Sequence, residues 1–157
     1  MCKMKNVFIL DLFDNTSIGG IEFNVANSLP MLMNTPCKIV VRQLTTELHD
    51  NTPDINNANY LRVVHNINIQ SGSNKSGFSN SNTLAFIDSF QVRTIDAQHM
   101  IGFTSANCVL YAPNGLPALL TLNKKGNIGF GDVILDDATF AWSCRLEITI
   151  NPDQDQE

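Results

Sequence analysis

Polar and apolar residues alternate along most of this chain. In residues 141–150, A-W-S-C-R-L-E-I-T-I, Cys144, Leu146, Ile148 and Ile150 fall on one side; Arg145, Glu147 and Thr149 fall on the other. A period of two marks a strand with one dry and one wet face. Residues 60–69 repeat it, setting Leu61, Val63, Ile67 and Ile69 against Arg62, Asn66 and Asn68, with His65 on the apolar side. Ile21, Phe23 and Val25 alternate with Glu22 and Asn24 after the turn Gly19-Gly20. Residues 7–12 read as a first strand, and the apolar-rich run 37–44 as a strand covered on both faces. Residues 83–95 predict a long strand with Phe86, Phe90 and Val92 on one face; residues 100–103, 108–111 and 117–122 predict shorter ones.

The connections are equally legible. Pro30 and Pro36 make residues 27–36 a connection and not central sheet. Ala112-Pro113-Asn114-Gly115 is a turn signal, since Pro presets φ and Asn-Gly tolerates positive φ. Asn123-Lys124-Lys125-Gly126-Asn127 predicts a hairpin joining 119–122 to 128–134. Gly129 and Gly131 within that second run suggest a bulge or a close backbone approach. Asp136-Asp137 turns the chain toward its last strand. Residues 45–59 read as a long polar loop. Residues 70–82, Q-S-G-S-N-K-S-G-F-S-N-S-N, hold too little apolar surface to order themselves. Loops of this length in compact domains carry function or stay mobile. Residues 151–157 form an acidic, frayed tail.

Eight to ten short strands with little helix predict an all-β chain, an antiparallel β-sandwich. No fixed repeat suggests a propeller or solenoid. Two packed sheets with long crossing loops match a single jelly roll best. An immunoglobulin-like sandwich is the alternative, but its Cys…Trp…Cys spacing is missing because Trp142 lies in the last strand. At 157 residues the chain holds one core, so residues 1–150 are read as one domain.

Charged residues are only 16% of the chain and hydrophobic ones 43%. A surface poor in Lys and Glu loses little hydration on packing against a neighbour. A net charge of −5 argues against nucleic acid, which needs clustered Lys and Arg; Lys124 and Lys125 read as a solvated hairpin tip. No apolar run approaches a membrane span. Asp11 and Asp14 interrupt the first apolar run before a signal-peptide core could form, which predicts a chain made and kept in the cytosol. Cys2, Cys37, Cys108 and Cys144 show no C-x-x-C spacing, against a zinc site, and a reducing cytosol disfavours disulfides. Cys108 and Cys144 read as buried thiols.

Candidate chemistry is thin. Residues 8–16, F-I-L-D-L-F-D-N-T, look like the nucleophile strand of haloacid-dehalogenase-type phosphatases. That strand carries aspartates two apart, whereas Asp11 and Asp14 are three apart and alternation sends them to opposite faces. The segment is read as a strand running into a turn. His49, His65 and His99 are scattered, and His65 is expected to be a packed, hydrogen-bonded histidine. Asp132, Asp136 and Asp137 lack the spacing of a Ca²⁺ loop and read as a solvated turn. Asn15 and Asn74 head formal glycosylation sequons. No catalytic residue, metal or cofactor is assigned, and the chain is not read as an enzyme. The candidate interface is Phe78, an aromatic centred in the polar loop, with Asn74 and Lys75 beside it. Phe78 is either a chance exposed aromatic or an anchor for a partner's pocket.

The run L-P-A-L-L-T-L-N-K-K-G-N-I-G-F-G-D-V (116–133), followed by A-W-S-C-R-L-E-I-T-I, resembles the end of single jelly-roll minor capsid and penton proteins of large icosahedral double-stranded DNA viruses and their virophages. The likeness covers roughly the last third by pattern and the rest by strand count. It implies a structural virion protein, a minor capsid or penton subunit packed against the major capsid protein and other minor capsid proteins. Assembly in the host cytoplasm follows from it, with a homo-oligomer left open and loops 45–59 and 70–82 serving as arms. Two other classes remain. A lectin-like or tumour-necrosis-factor-like sandwich binding a glycan or receptor would need an aromatic platform, and Trp142, Tyr60 and Tyr111 are all the chain offers beyond Phe. A cupin-like enzyme needs two or three metal-binding histidines, and His65 with His99 fall short.

Overall fold

The structure is a computed structural model that describes residues 6–17, 19–49, 60–69, 82–87, 93–95, 98–103, 108–128, 131–134 and 142–152. Among these residues the strands are β1 (Val7–Phe13), β2 (Ile21–Asn24), β3 (Cys37–His49), β4 (Tyr60–His65), β5 (Thr83–Ile87), β6 (Arg93–Ile95), β7 (Gln98–Phe103), β8 (Val109–Ala112), β9 (Leu119–Ile128), β10 (Gly131–Ile134) and β11 (Trp142–Ile150). One helical turn, α1 (Val25–Ser28), is capped by the Asn24 side chain, which accepts from the Asn27 N–H. A 3-10 turn at Pro30–Leu32 follows, as the prolines of this connection require.

The fold is an all-β sandwich of two antiparallel sheets. The first runs β1-β11-β3-β7-β6, with β8 also on β3; the second runs β10-β9-β4-β5, with β2 also on β9. β7 and β8 follow one another along the side of β3 opposite β11, pairing with residues 44–49 and 37–40. The ladders nest: β1 pairs β11, β2 pairs β9, β3 pairs β7 and β8, and β4 pairs β5. The chain is thus one long antiparallel ribbon doubled back on itself. The seams β3–β11 and β4–β9 close each sheet.

Alternation decides what the layers bury. Leu10, Leu12, Ile39, Val41, Leu146 and Ile148 of the first sheet join Ile21, Val63, Leu120 and Leu122 of the second in one core cluster. Each such side chain contributes roughly 1.5–3 kcal/mol by leaving water. Val25 and Leu32 plug the same core from the connection, both fully buried. The turn at 112–115 forms as expected: the Gly115 N–H donates to Ala112 O at 3.2 Å, and Gly115 takes φ +77°.

Several expectations need correction. The run 37–44 is half-buried and not covered on both faces. Arg145 pairs Gln43 while Leu146 pairs Val41, so Arg42 is an extra residue in a bulge. The bulge keeps Val41 and Leu44 both inward while Arg42 and Gln43 are both exposed. β3 also continues to His49, because β7 supplies a ladder partner past Leu44; residues 45–49 of the loop read at 45–59 are therefore strand, and residues 50–59 lie outside the described residues. The segment 123–127 is no hairpin. It is the middle of β9, paired to β4 on one side and, from Lys125, to β10 on the other. Turn-forming residues yielded there to two ladders, and the hairpin closes later, at Ile128 opposite Gly131. Lys124 is consequently buried, its ammonium 5.7 Å from the centre of the Trp142 ring.

Candidate functional site

The outer face of the first sheet carries the most distinctive surface among the described residues. Cross-strand partners share a face, so the registers define rows across it. One row is Val7, Thr149, Lys38 and Tyr111; the next is Ile9, Glu147, Val40 and Val109; a third is Asp11, Arg145 and Gln43. Phe13 and Ser143 follow. Val7, Ile9, Phe13, Val109 and Tyr111 are all exposed, Phe13 by 65% and Tyr111 by 61%. Apolar side chains therefore stand in water at both margins of the face, on β1 and on β8.

Ion pairs fill the middle. The Arg145 guanidinium grips Asp11 through two bonds, Nε to Oδ1 at 2.6 Å and Nη2 to Oδ2 at 3.0 Å. Arg42 Nε donates to Glu147 Oε2 at 2.7 Å. The Arg145 bond holds the Asp11 carboxyl below its ordinary value, and the Arg42 bond, with Lys38 behind it, does the same for Glu147. Both pairs are half exposed, so they fix geometry and charge more than stability. A groove of about 180 Å³ opens here beside Asp11, Phe13, Gln43, Ser143 and Arg145. That is below the size of ordinary small-molecule pockets.

The interior holds polar groups of another kind. His65 is buried on the apolar face of β4, as read from the sequence. Its Nδ1 accepts from the Ile67 N–H at 3.0 Å, so the ring proton sits on Nε2, which has no hydrogen-bond partner among the described residues. Burial pushes its pKa down to about 4. Arg62 is buried too, donating to Thr83 Oγ1 at 2.9 Å. Cys37 and Cys144 are buried, and Cys108 is half-buried. Burial raises the Cys144 thiol to about 12.

The residues singled out from the sequence are not gathered in one place. Phe78, Asn74 and Lys75 lie outside the described residues, as do Asp136 and Asp137. His49 lies in β3, His99 in β7 and Asp132 in β10. Asp11 points outward from β1, whereas Asp14 sits past its end, its N–H donating to Trp142 O at 3.2 Å. Among the described residues no three His, Cys, Asp or Glu side chains stand close enough to hold a metal ion, and no helix is long and apolar enough to cross a membrane. Trp142 is buried and cannot serve as a glycan platform, while Tyr111 is exposed.

Sequence reasoning missed the apolar margin on β1. The signal was present: V-F-I-L-D-L-F is apolar at six of its seven positions. A strand dry on one face only must leave the other apolar set in water. No family model matches the chain, and no curated protein matches it.

Proposed function

We propose that this chain is a structural virion protein, a minor capsid or penton subunit built as a single jelly roll that packs against major capsid proteins. The observation that carries the reading is the nested pairing of β1 with β11, β2 with β9, β3 with β7 and β8, and β4 with β5. A doubled ribbon rolled into two layers is the construction of jelly-roll domains, which occur in viral capsids, lectins and cupins. Within that group, the low charge and the exposed apolar rim of the first sheet favour a subunit covered by neighbours. The sandwich is the rigid block, and residues 70–81 supply the arm that docks on assembly.

The test is co-expression of the full chain with the major capsid protein from the same genome, followed by gradient sedimentation of the assemblies. The chain is expected to travel with them. Deleting residues 71–81 is expected to keep the fold and reduce co-sedimentation. Asn82 stays because its carbonyl accepts from the His65 N–H at 2.9 Å. A chain that remains at the top of the gradient beside intact assemblies would overturn the reading. Selective binding in a glycan-array screen would then support the lectin-like alternative.

A further inference from the structure

β1 is the edge of the first sheet, with β11 on one side and no strand on the other among the described residues. Two bonds fix which backbone groups it leaves open. The Ile150 N–H donates to Asn6 O, and the Asp14 N–H to Trp142 O, each at 3.2 Å. In an antiparallel ladder alternate residues bond the same neighbour. The even positions of β1 therefore bond β11, while Val7, Ile9, Asp11 and Phe13 direct their N–H and C=O groups to the open edge. These same residues expose their side chains: Val7 by 43%, Ile9 by 52% and Phe13 by 65%.

Natural edges are guarded by Pro, Lys, bulges or inward charges. β1 has none of these. It contains no Pro, Gly or Lys, and its register against β11 is unbroken over all seven residues. Its one charge, Asp11, is already gripped by Arg145 of its own sheet. A strand with open hydrogen bonds, apolar flanks and a neutralised charge is built to be paired.

We propose that β1 is a dimerisation edge, where a second copy of this chain pairs antiparallel, β1 to β1, and joins the two first sheets into one. Charge and pattern together select the second copy. Of the two-fold registers that match open groups to open groups, three overlap most. One centred on Asp11 sets two carboxylates face to face and is disfavoured. One centred on Ile9 leaves Phe13 beyond the partner's Val7. The register centred on Leu10 uses the whole strand: Val7 meets the partner's Phe13 at both ends, and Ile9 meets the partner's Asp11 twice. The two central rows across the seam then read Arg145, Asp11, the partner's Ile9 and the partner's Glu147, and the outer rows carry no charge beside the seam, so no like charges meet directly. This inference does not rest on the virion reading, since a dimer of this kind would form in the isolated chain.

The experiment uses the full chain alone. Light scattering is expected to give twice the chain mass, and Ile9→Glu, which sets a carboxylate opposite the partner's Asp11 in both central rows, is expected to return it to one. Hydrogen exchange of assigned amides supplies the signature. In the wild-type chain Val7, Ile9, Asp11 and Phe13 are expected to exchange roughly tenfold or more slowly than in Ile9→Glu, with Phe8, Leu10 and Leu12 alike in both. Circular dichroism confirms that the variant is folded; if it is not, Phe13→Glu takes its place. A wild-type chain of single mass at every attainable concentration would overturn the proposal. So would an oligomer whose mass and β1 exchange survive both substitutions.

Discussion

The indole N–H of Trp142 donates to the carbonyl oxygen of Gly19 at 2.6 Å, tying the first residue of the last strand to the turn that follows the first strand. That turn is otherwise held by its own residues, with the Gly20 N–H on Thr16 Oγ1 at 2.7 Å and the Asn15 side chain bonded twice to the Glu22 backbone. Trp142→Phe keeps an aromatic ring but leaves the Gly19 carbonyl without its donor and part of the core unfilled. Stability is expected to fall by about 1–3 kcal/mol, measured as a lower urea midpoint with an unchanged slope.

His65 makes stability depend on pH. Its folded pKa of about 4 lies below the ordinary 6.5 because burial disfavours the imidazolium. The unfolded chain therefore binds the proton first as pH falls. The contribution is complete above pH 6.5, is lost progressively down to about 4, and changes no further below that. The loss is about 3 kcal/mol. Denaturation curves across this range are expected to show the slope, and His65→Met is expected to remove that part of it.

Gly115 stands at φ +77°, and a Cβ there would lie 2.4 Å from Leu32 O, so conformation and space both demand glycine. Gly115→Ala is expected to cost about 1–3 kcal/mol. The midpoint of thermal unfolding reads it. A neutral result would show that the turn and the 3-10 segment can separate without loss.

Cys37 and Cys144 are expected to resist thiol reagents in the folded chain and to react on unfolding. Both are buried, and burial raises both thiols, that of Cys144 to about 12. Peptide mapping after a timed alkylation pulse distinguishes them from the half-buried Cys108, which is expected to react sooner.

How far the sequence reached follows from where alternation is a sufficient signal. The last strand was readable to the residue, because Cys144, Leu146 and Ile148 face the core and Arg145 and Glu147 face water, as their polarity demands. The A-P-N-G turn was readable because its φ requirement is local. The segment N-K-K-G-N was misread because its local preference is a turn, and two ladder partners override it. The bulge at Arg42 was invisible, since a slip of one residue is fixed by the partner strand and not by the strand itself. The β1 edge escaped for the same reason: whether an apolar strand is central or marginal depends on its neighbours.

The nested ladders also set the order in which this protein can be made. β11 lies between β1 and β3, more than ninety residues after either in the chain. Until β11 has been synthesised, the first sheet lacks the strand that joins β1 to β3. Folding of a topology so dominated by distant contacts is slow, and here it cannot be completed piecemeal as the chain emerges from the ribosome. β1, with its unguarded apolar edge, waits through the synthesis of every strand from β2 to β11, which is when a chaperone would matter most to its yield.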